Sequence, residues 1–377
     1  MPRPARLAAP LALVLAAVAA PAAAQTAPAP QPPVAPAPPV APGPAPAVPA
    51  HPAARTGWVV PLAGGEPLRP APDPAVAATA VAPSARVAGR LQRVARGPDG
   101  SVWLRVAFPD AVRGWVDGAA VAAAPPPPAL APAVRRALVR RTASLGGASA
   151  LVVRDPLGRT LFAAGTRAPL ILASVTKVAT VAAALADAPM RPAAAAAILR
   201  PSDNRRAQAL STALGGGSRG LGARRAVEAA AALGAEMRLV DGSGLSRGNR
   251  AAAGEVADLL HGLRDAPRFP VLLRALPVAG RSGTLQWRMR GSWAHGRLRA
   301  KTGTLADPPA ASALAGYLWP HRAGPSPDRA LVVVAIANRV APWRARPVHD
   351  AVARELAAPG ALVPARRPGI ASATPGR

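Results

Sequence analysis

The chain has 377 residues, room for two or three domains, with a net charge of +28, 48 prolines and no cysteine. The missing cysteine excludes a disulfide scaffold, a thiolate zinc site and a cysteine nucleophile. Proline at that level, unevenly spread, means that part of the chain is not globular. A charge of this size ordinarily suggests nucleic acid, but the N-terminus points elsewhere. Met1 to Arg6 is basic, Leu7 to Ala20 is apolar, and Ala22, Ala23 and Ala24 precede Gln25 as a small-residue cleavage site. This is the pattern of a signal peptide over residues 1–24. Pro10 interrupts the run, which is short for a bilayer span. Export to a periplasm or cell-wall space is expected, with no nucleic-acid partner and no transmembrane segment after cleavage. The positive charge then either retains the protein on anionic envelope polymers or is a solvated, arginine-rich surface.

Residues 25–55 are almost entirely Pro, Ala and Val and read as an extended linker. The texture changes over residues 56–122. Trp58-Val59-Val60 reads as a strand, and Val87 to Val94 alternates apolar with polar residues. A turn at Gly97-Pro98-Asp99-Gly100 leads into Val102 to Val106, followed by Gly114-Trp115-Val116. Short strands with such turns suggest a small antiparallel barrel. The segment resembles bacterial SH3-like domains, which implies binding of peptide or cell-wall peptide; Trp103 and Trp115 are expected in its core.

Residues 123–130 form a second, Pro-rich linker, and residues 131–362 the largest domain. A helix is expected over Ala133 to Ser144, then a hairpin of Ala150 to Arg154 and Thr160 to Phe162 around Asp155-Pro156-Leu157-Gly158. A helix-rich block runs from Ser174 to about Arg290. Strands follow at Leu298 to Thr304, Ala313 to Leu318 and Leu331 to Ala337, then a helix from Ala345 to Ala357. This order implies an α/β domain: a five-stranded antiparallel sheet, terminal helices on one face and a small all-helical subdomain inserted after the second strand. Residues 363–377 are a basic tail expected to be disordered.

Only two of the 46 basic residues are lysine, Lys177 and Lys301. Lysine, unlike arginine, can lose its proton and act as a base. Lys177 lies three residues after Ser174, one helical turn on and on the same face, in a helix apolar nearly all round from Val178 to Leu185. A buried lysine near another cation has a depressed pKa and can take the serine proton; a serine N-cap and a surface lysine are the plainer alternative. Ser202-Asp203-Asn204 comes second. Ser202 would relay a proton to a leaving group and Asn204 would offer its amide to a substrate backbone, whereas Asp203 reads as a helix N-cap. Lys301-Thr302-Gly303-Thr304 is third. Its lysine and hydroxyls can hold a carboxylate, Gly303 would let a substrate approach the backbone, and the N–H groups of Thr304 and Ser174 could form an oxyanion hole. A strand with a surface lysine is the alternative here.

Ser-x-x-Lys, Ser-Asp-Asn and Lys-Thr-Gly, in that order, form the set of penicillin-binding proteins and serine β-lactamases. With Leu239-Val240-Asp241-Gly242-Ser243-Gly244-Leu245-Ser246-Arg247-Gly248-Asn249-Arg250 and Leu276 to Leu305, residues 130 to 360 resemble the D-alanyl-D-alanine carboxypeptidase/endopeptidase kind of low-molecular-mass penicillin-binding protein. The resemblance implies peptidoglycan D-Ala-D-Ala peptides as substrates, β-lactams as acylating inhibitors and no cofactor. It implies catalytic roles for Ser174, Lys177 and Ser202, and substrate contacts from Asn204, Lys301, Thr302, Gly303 and Thr304. Members of that family usually carry large inserted domains between the first two motifs; only 28 positions separate Ser174 from Ser202.

Two other readings stand beside this one. A β-lactamase needs a carboxylate base for deacylation, and none of Glu228, Glu236 and Glu255 sits in a Glu-x-x-Leu-Asn context. A non-catalytic wall-binding protein would leave the motif set unexplained. His51, His261, His295, His321 and His349 follow no nucleophile-elbow or metal-ligand pattern and are expected at the surface or in packing, His51 in the linker.

Overall fold

The computed structural model describes residues 51–364 except 85, 110, 147, 322 and 325. The expected signal peptide, linker residues 25–50 and the tail from residue 365 lie outside the described residues; Val363, expected in the tail, instead pairs antiparallel with Ala129 of the expected second linker, beside Leu362 and Leu130.

The N-terminal module is all-β apart from a one-turn helix, Ala53–Thr56, and a 3-10 turn, Gly118–Ala120. Its strands are β1 (Trp58–Pro61), β2 (Gly89–Arg96), β3 (Val102–Ala107), β4 (Arg113–Asp117) and β5 (Val121–Ala123). They pair antiparallel in the order β4-β3-β2-β1-β5. The β2–β3 turn closes on Gly100, whose φ of 83° suits glycine, and Asp99 accepts from the Ser101 N–H at 3.0 Å. Val59, Leu104, Val106, Val116 and Val121 fill the core, and Trp103 and Trp115 are both buried. Folded structure begins before Thr56. His51 accepts from the Ala53 N–H at 3.1 Å and lies 3.2 Å from the Gly118 carbonyl, so it packs in this module rather than in the linker.

The module is seated on the larger domain by polar contacts. The Ala88 N–H donates to Leu157 O at 2.9 Å. Arg86 pairs with Asp265 at 2.6 Å and also with Asp328. The Arg159 guanidinium, held by Asp155, lies 5.1 Å from the Trp58 ring centroid.

In the larger domain, α1 (Pro132–Ala143) precedes the hairpin β6 (Ser149–Arg154) and β7 (Thr160–Gly165). The helical block comprises α2 (Thr176–Asp187), α3 (Pro192–Leu199), α4 (Asn204–Leu214), α5 (Arg219–Ala231), α6 (Ala253–Gly262) and α7 (Phe269–Ala275). The chain returns as β8 (Leu298–Leu305), β9 (Ala311–Leu318), β10 (Leu331–Asn338) and α8 (Pro342–Ala357). The sheet order is β7-β6-β10-β9-β8, antiparallel throughout; five antiparallel strands are expected from the sequence, and their order comes from the structure.

Alternation along the strands divides the interior into two cores. On β10, Val332, Val334 and Ile336 face the helical block, where they meet Val178, Val181 and Leu259. Leu331, Val333 and Ala335 face the other way, against Leu138, Val352 and Leu356 of α1 and α8. With both faces covered, β6, β9 and β10 are buried at every position. The edge strand β8 is left to line a cleft against the helical block. No helix among the described residues is long and apolar enough to cross a membrane.

Candidate active site

The three motifs converge where the start of α2, the start of α4 and β8 meet. Ser174 lies in a 3-10 turn, Ala173–Val175, that runs directly into α2. Ala173 before it is held at φ 48°, and Ser202 at φ 63°. Backbone strain of this kind persists where the surroundings over-determine it. At Ala173 the surroundings are two glycines. A Cβ on Gly244 would stand 2.1 Å from Ala173 O, and one on Gly303 would stand 2.7 Å from Leu172 O. Gly303 is therefore needed to seat β8 against the serine turn, a different reason from the substrate approach expected of it.

Lys177 is fully buried, and its Nζ has three neighbours. Ser174 Oγ and Asn204 Oδ1 each lie at 2.7 Å, and the Ser243 carbonyl is the third. The last two can only accept. A neutral amine with two N–H groups donates to both, which leaves its lone pair facing the serine hydroxyl. Burial pulls the Lys177 pKa down to about 8, against the opposing fields of Asp241 and Asp203. About one tenth of Lys177 is thus neutral at pH 7.

Lys301 is also fully buried. Its Nζ donates to Ser202 Oγ and to Thr302 O, both at 2.8 Å. Burial first, and the Lys177 charge second, push its pKa well below the ordinary lysine value. Ser202 is thus held by Lys301, and Asn204 has turned its amide oxygen to Lys177. Thr302 Oγ1 donates to Thr284 Oγ1 at 2.7 Å. The outward edge of β8 carries the Ala300 N–H to Pro277 O; strand alternation turns the Thr302 and Thr304 N–H groups the same way, toward the cleft. Asp203 caps α4, its carboxylate accepting from the Arg206 N–H at 2.9 Å, as expected. The structure thus joins Ser174, Lys177 and Asn204 in one hydrogen-bonded cluster and Ser202, Lys301 and Thr302 in another beside it, while Gly303 packs on the serine turn and the Thr304 hydroxyl accepts from Arg346 Nη2 at 3.1 Å.

Sequence reasoning missed the groups that hold the cleft together. Asp241 accepts from the N–H groups of Ser243 (2.8 Å), Gly244 (2.5 Å) and Ser246 (2.6 Å) and from Asn249 Nδ2 (3.1 Å). Burial works against its charge, but these donors outweigh it and hold its carboxyl below the usual range. The folded loop presents Ser243 O to Lys177 and Gly242 O to Thr180 at 2.9 Å. Asn338, at the end of β10, accepts from the Ile171 N–H at 2.6 Å and donates to Ile171 O at 3.1 Å, anchoring the approach to Ser174. A signal existed: Asn204, Asn249 and Asn338 are the only asparagines in the chain, and all three brace this cleft.

Residues 170–354 match the family profile described as D-Ala-D-Ala carboxypeptidase 3 (S13). The chain is similar to the D-alanyl-D-alanine carboxypeptidase of Actinomadura sp. (strain R39), with 42% identity over 124 residues, or 32% of this chain and 21% of that protein. It thus spans well under two thirds of that relative's length. Among solved structures it is similar to penicillin binding protein 4 (dacB) from Haemophilus influenzae in complex with a β-lactam, at 22% identity and a TM-score of 0.37, over 43% of this chain and 41% of that one. It is also similar to the D-alanyl-D-alanine carboxypeptidase of Mycobacterium tuberculosis H37Rv, at 18% identity and a TM-score of 0.42, over 59% of this chain and 96% of that one. The stretch from residue 170 to residue 354, which contains all three motifs, carries the pattern of the D-Ala-D-Ala carboxypeptidase 3 (S13) family.

Proposed function

We propose that the protein is a serine-type D-alanyl-D-alanine carboxypeptidase, able also to cut cross-links, that acts on exported peptidoglycan peptides and is acylated by β-lactams. The observation that carries this reading is the buried Lys177, whose Nζ lies 2.7 Å from Ser174 Oγ and, in its neutral form, can take the serine proton. In this mechanism Ser174 Oγ attacks the carbonyl carbon of the penultimate D-alanine as Lys177 Nζ takes its proton. The oxyanion is met by the N–H groups of Ser174 and Thr304. Lys301, Thr302 and Thr304 hold the terminal carboxylate, which in turn favours the charged form of Lys301. Collapse expels the C-terminal residue as an amine, which receives its proton through the Ser202 hydroxyl. Water then hydrolyses the ester on Ser174 and frees the shortened peptide.

The β-lactamase alternative is not favoured. Glu228 is paired with Arg224 and Arg225 on the surface, and Glu255 accepts from the Glu236 N–H at 2.6 Å. Among the described residues, none of the three glutamates is hydrogen-bonded to a motif residue. The same proposal takes residues 1–24 as a signal peptide, the β module as an SH3-like wall-peptide binder, residues 131–362 as the peptidase domain, and the periplasm or wall space as the location.

Fluorescent penicillin tests the nucleophile, and a pentapeptide ending in D-Ala-D-Ala tests the reaction. The protein is expected to be labelled covalently and to release D-alanine, and Ser174→Ala to do neither. Label retained in Ser174→Ala would overturn the assignment; rapid turnover of the penicillin itself would favour the β-lactamase.

A further inference from the structure

Beyond Lys301, where Pro277 and Ala279 pair with the outer edge of β8, lies a group of four arginines. Arg299 lies two residues before Lys301 on β8, so its side chain projects from the same face about 7 Å further along the strand. Around it gather Arg200, just ahead of Pro201 and Ser202, Arg274 near the end of α7, and Arg281 in the loop before β8. Arg200 donates to Arg274 O at 2.9 Å, and Arg299 to Leu273 O at 3.5 Å. The Thr284 N–H donates to Arg200 O at 3.1 Å, which ties the group to the threonine that meets Thr302. Arg200, Arg274 and Arg281 are exposed and Arg299 is half-buried. Among the described residues, none of the four is in an ion pair. Burial, then the fields of Arg200, Arg281 and Arg274, lower the pKa of Arg299, with no carboxylate opposing them. Helix-end carbonyls satisfy some of the N–H groups, but four like charges remain uncompensated.

Their position gives them a direction. Along β8 the order is Thr304, then Thr302 and Lys301, then Arg299. If the first holds the scissile carbonyl and the second the carboxylate beyond it, the arginines face the part of the substrate that lies past that carboxylate. A D-alanine leaving group ends at Lys301 and leaves the arginines unused. We propose that Arg200, Arg274, Arg281 and Arg299 form a leaving-group subsite for an anionic amino acid, so that the enzyme releases a residue with an additional carboxylate in preference to a neutral one. The subsite rests on the peptidase reading above. Its natural occupant is the acceptor strand of a cross-linked wall peptide, whose amine is released when the cross-link is cut.

The test uses the full chain and three acyl-D-alanyl peptides, ending in D-glutamate, D-glutamine and D-alanine. Wild type is expected to favour D-glutamate over D-glutamine about tenfold in kcat/KM, the size of one hydrogen bond to a charged group. The ratio is expected to fall toward one in Arg281→Gln/Arg299→Gln. Because both substrates are measured on one sample, the ratio does not depend on how much of a variant folds. Arg136→Gln, on the exposed face of α1, controls for bulk charge and is expected to keep the preference. Wild type without preference, or an equal fall in Arg136→Gln, would overturn the subsite alone. No release from any of the three peptides, with no penicillin label, would overturn the peptidase reading and the subsite together.

Discussion

Lys177 and Lys301 differ in what surrounds their nitrogens, and that difference separates their chemistry. Lys177 meets two acceptor-only oxygens and one hydroxyl, so its neutral form is fully satisfied. Lys301 faces Ser202 and its neighbour's carbonyl, with N–H capacity left for a ligand. In the proposed mechanism neutral Lys177 is the working form of the base, so kcat/KM should rise about tenfold per pH unit below pH 8 and level off above it. A pH profile of penicillin acylation checks this, and a flat profile would contradict the base role. Lys177→Arg keeps a positive charge but cannot supply a base at these pH values. It should lose about 10²–10⁴ in acylation rate, measured beside a circular-dichroism spectrum that reports the fold.

At the scale of elements, the serine turn depends on the loop that contains Gly244. Gly244→Ala would drive a Cβ into Ala173 O from a backbone at φ 85°. It should slow acylation more than it weakens binding, seen as a fall in kcat with KM little changed. Helix α8 makes a separate prediction. His349 is buried, has no hydrogen-bond partner among the described residues, and is held down to about 3 by burial and by Arg288, which pairs with Asp350. Unfolded histidine titrates near 6.5, so between these values the unfolded chain binds the extra proton. The contribution of His349 is complete above pH 6.5 and is lost as pH falls toward 3. His261, also near 3 through burial and the charges of Arg264 and Arg154, behaves alike. A His349→Phe variant should lose less thermal stability than wild type between about pH 7 and pH 4, followed by differential scanning calorimetry.

These elements also show what the sequence could and could not convey. The strands of the sheet were legible because alternation and turn residues are local signals, and the three motifs because lysine and asparagine are so rare here. The roles of Asp241 and Asn338 were not legible. Asn338 meets Ile171 across 167 positions and Lys177 meets Ser243 across 66, and no local pattern encodes pairs so distant. The packing role of Gly303 is likewise not legible, because only the folded chain shows the serine turn lying against it.

Over the whole molecule, the β module sits on the β6–β7 turn and on Asp265 and Asp328. Asp328 lies in the β9–β10 connection, and the β9–β8 register puts that end of the sheet away from Thr304, which pairs with Ser312. The module therefore leaves the mouth of the cleft uncovered. Charge is distributed just as unevenly by type. Of the 46 basic residues, 44 are arginine, which keeps its proton across the usable pH range. Only the two cleft lysines carry side-chain amines, and both are fully buried. Amine-coupling dyes and crosslinkers should therefore react with little beyond the α-amino group. Conversely, protein grown on ¹⁵N-lysine should give a two-signal side-chain spectrum in which each resonance reports a different part of the same cleft. The charge state of the candidate base can then be followed directly during titration with a β-lactam, against a background that contributes no amine of its own.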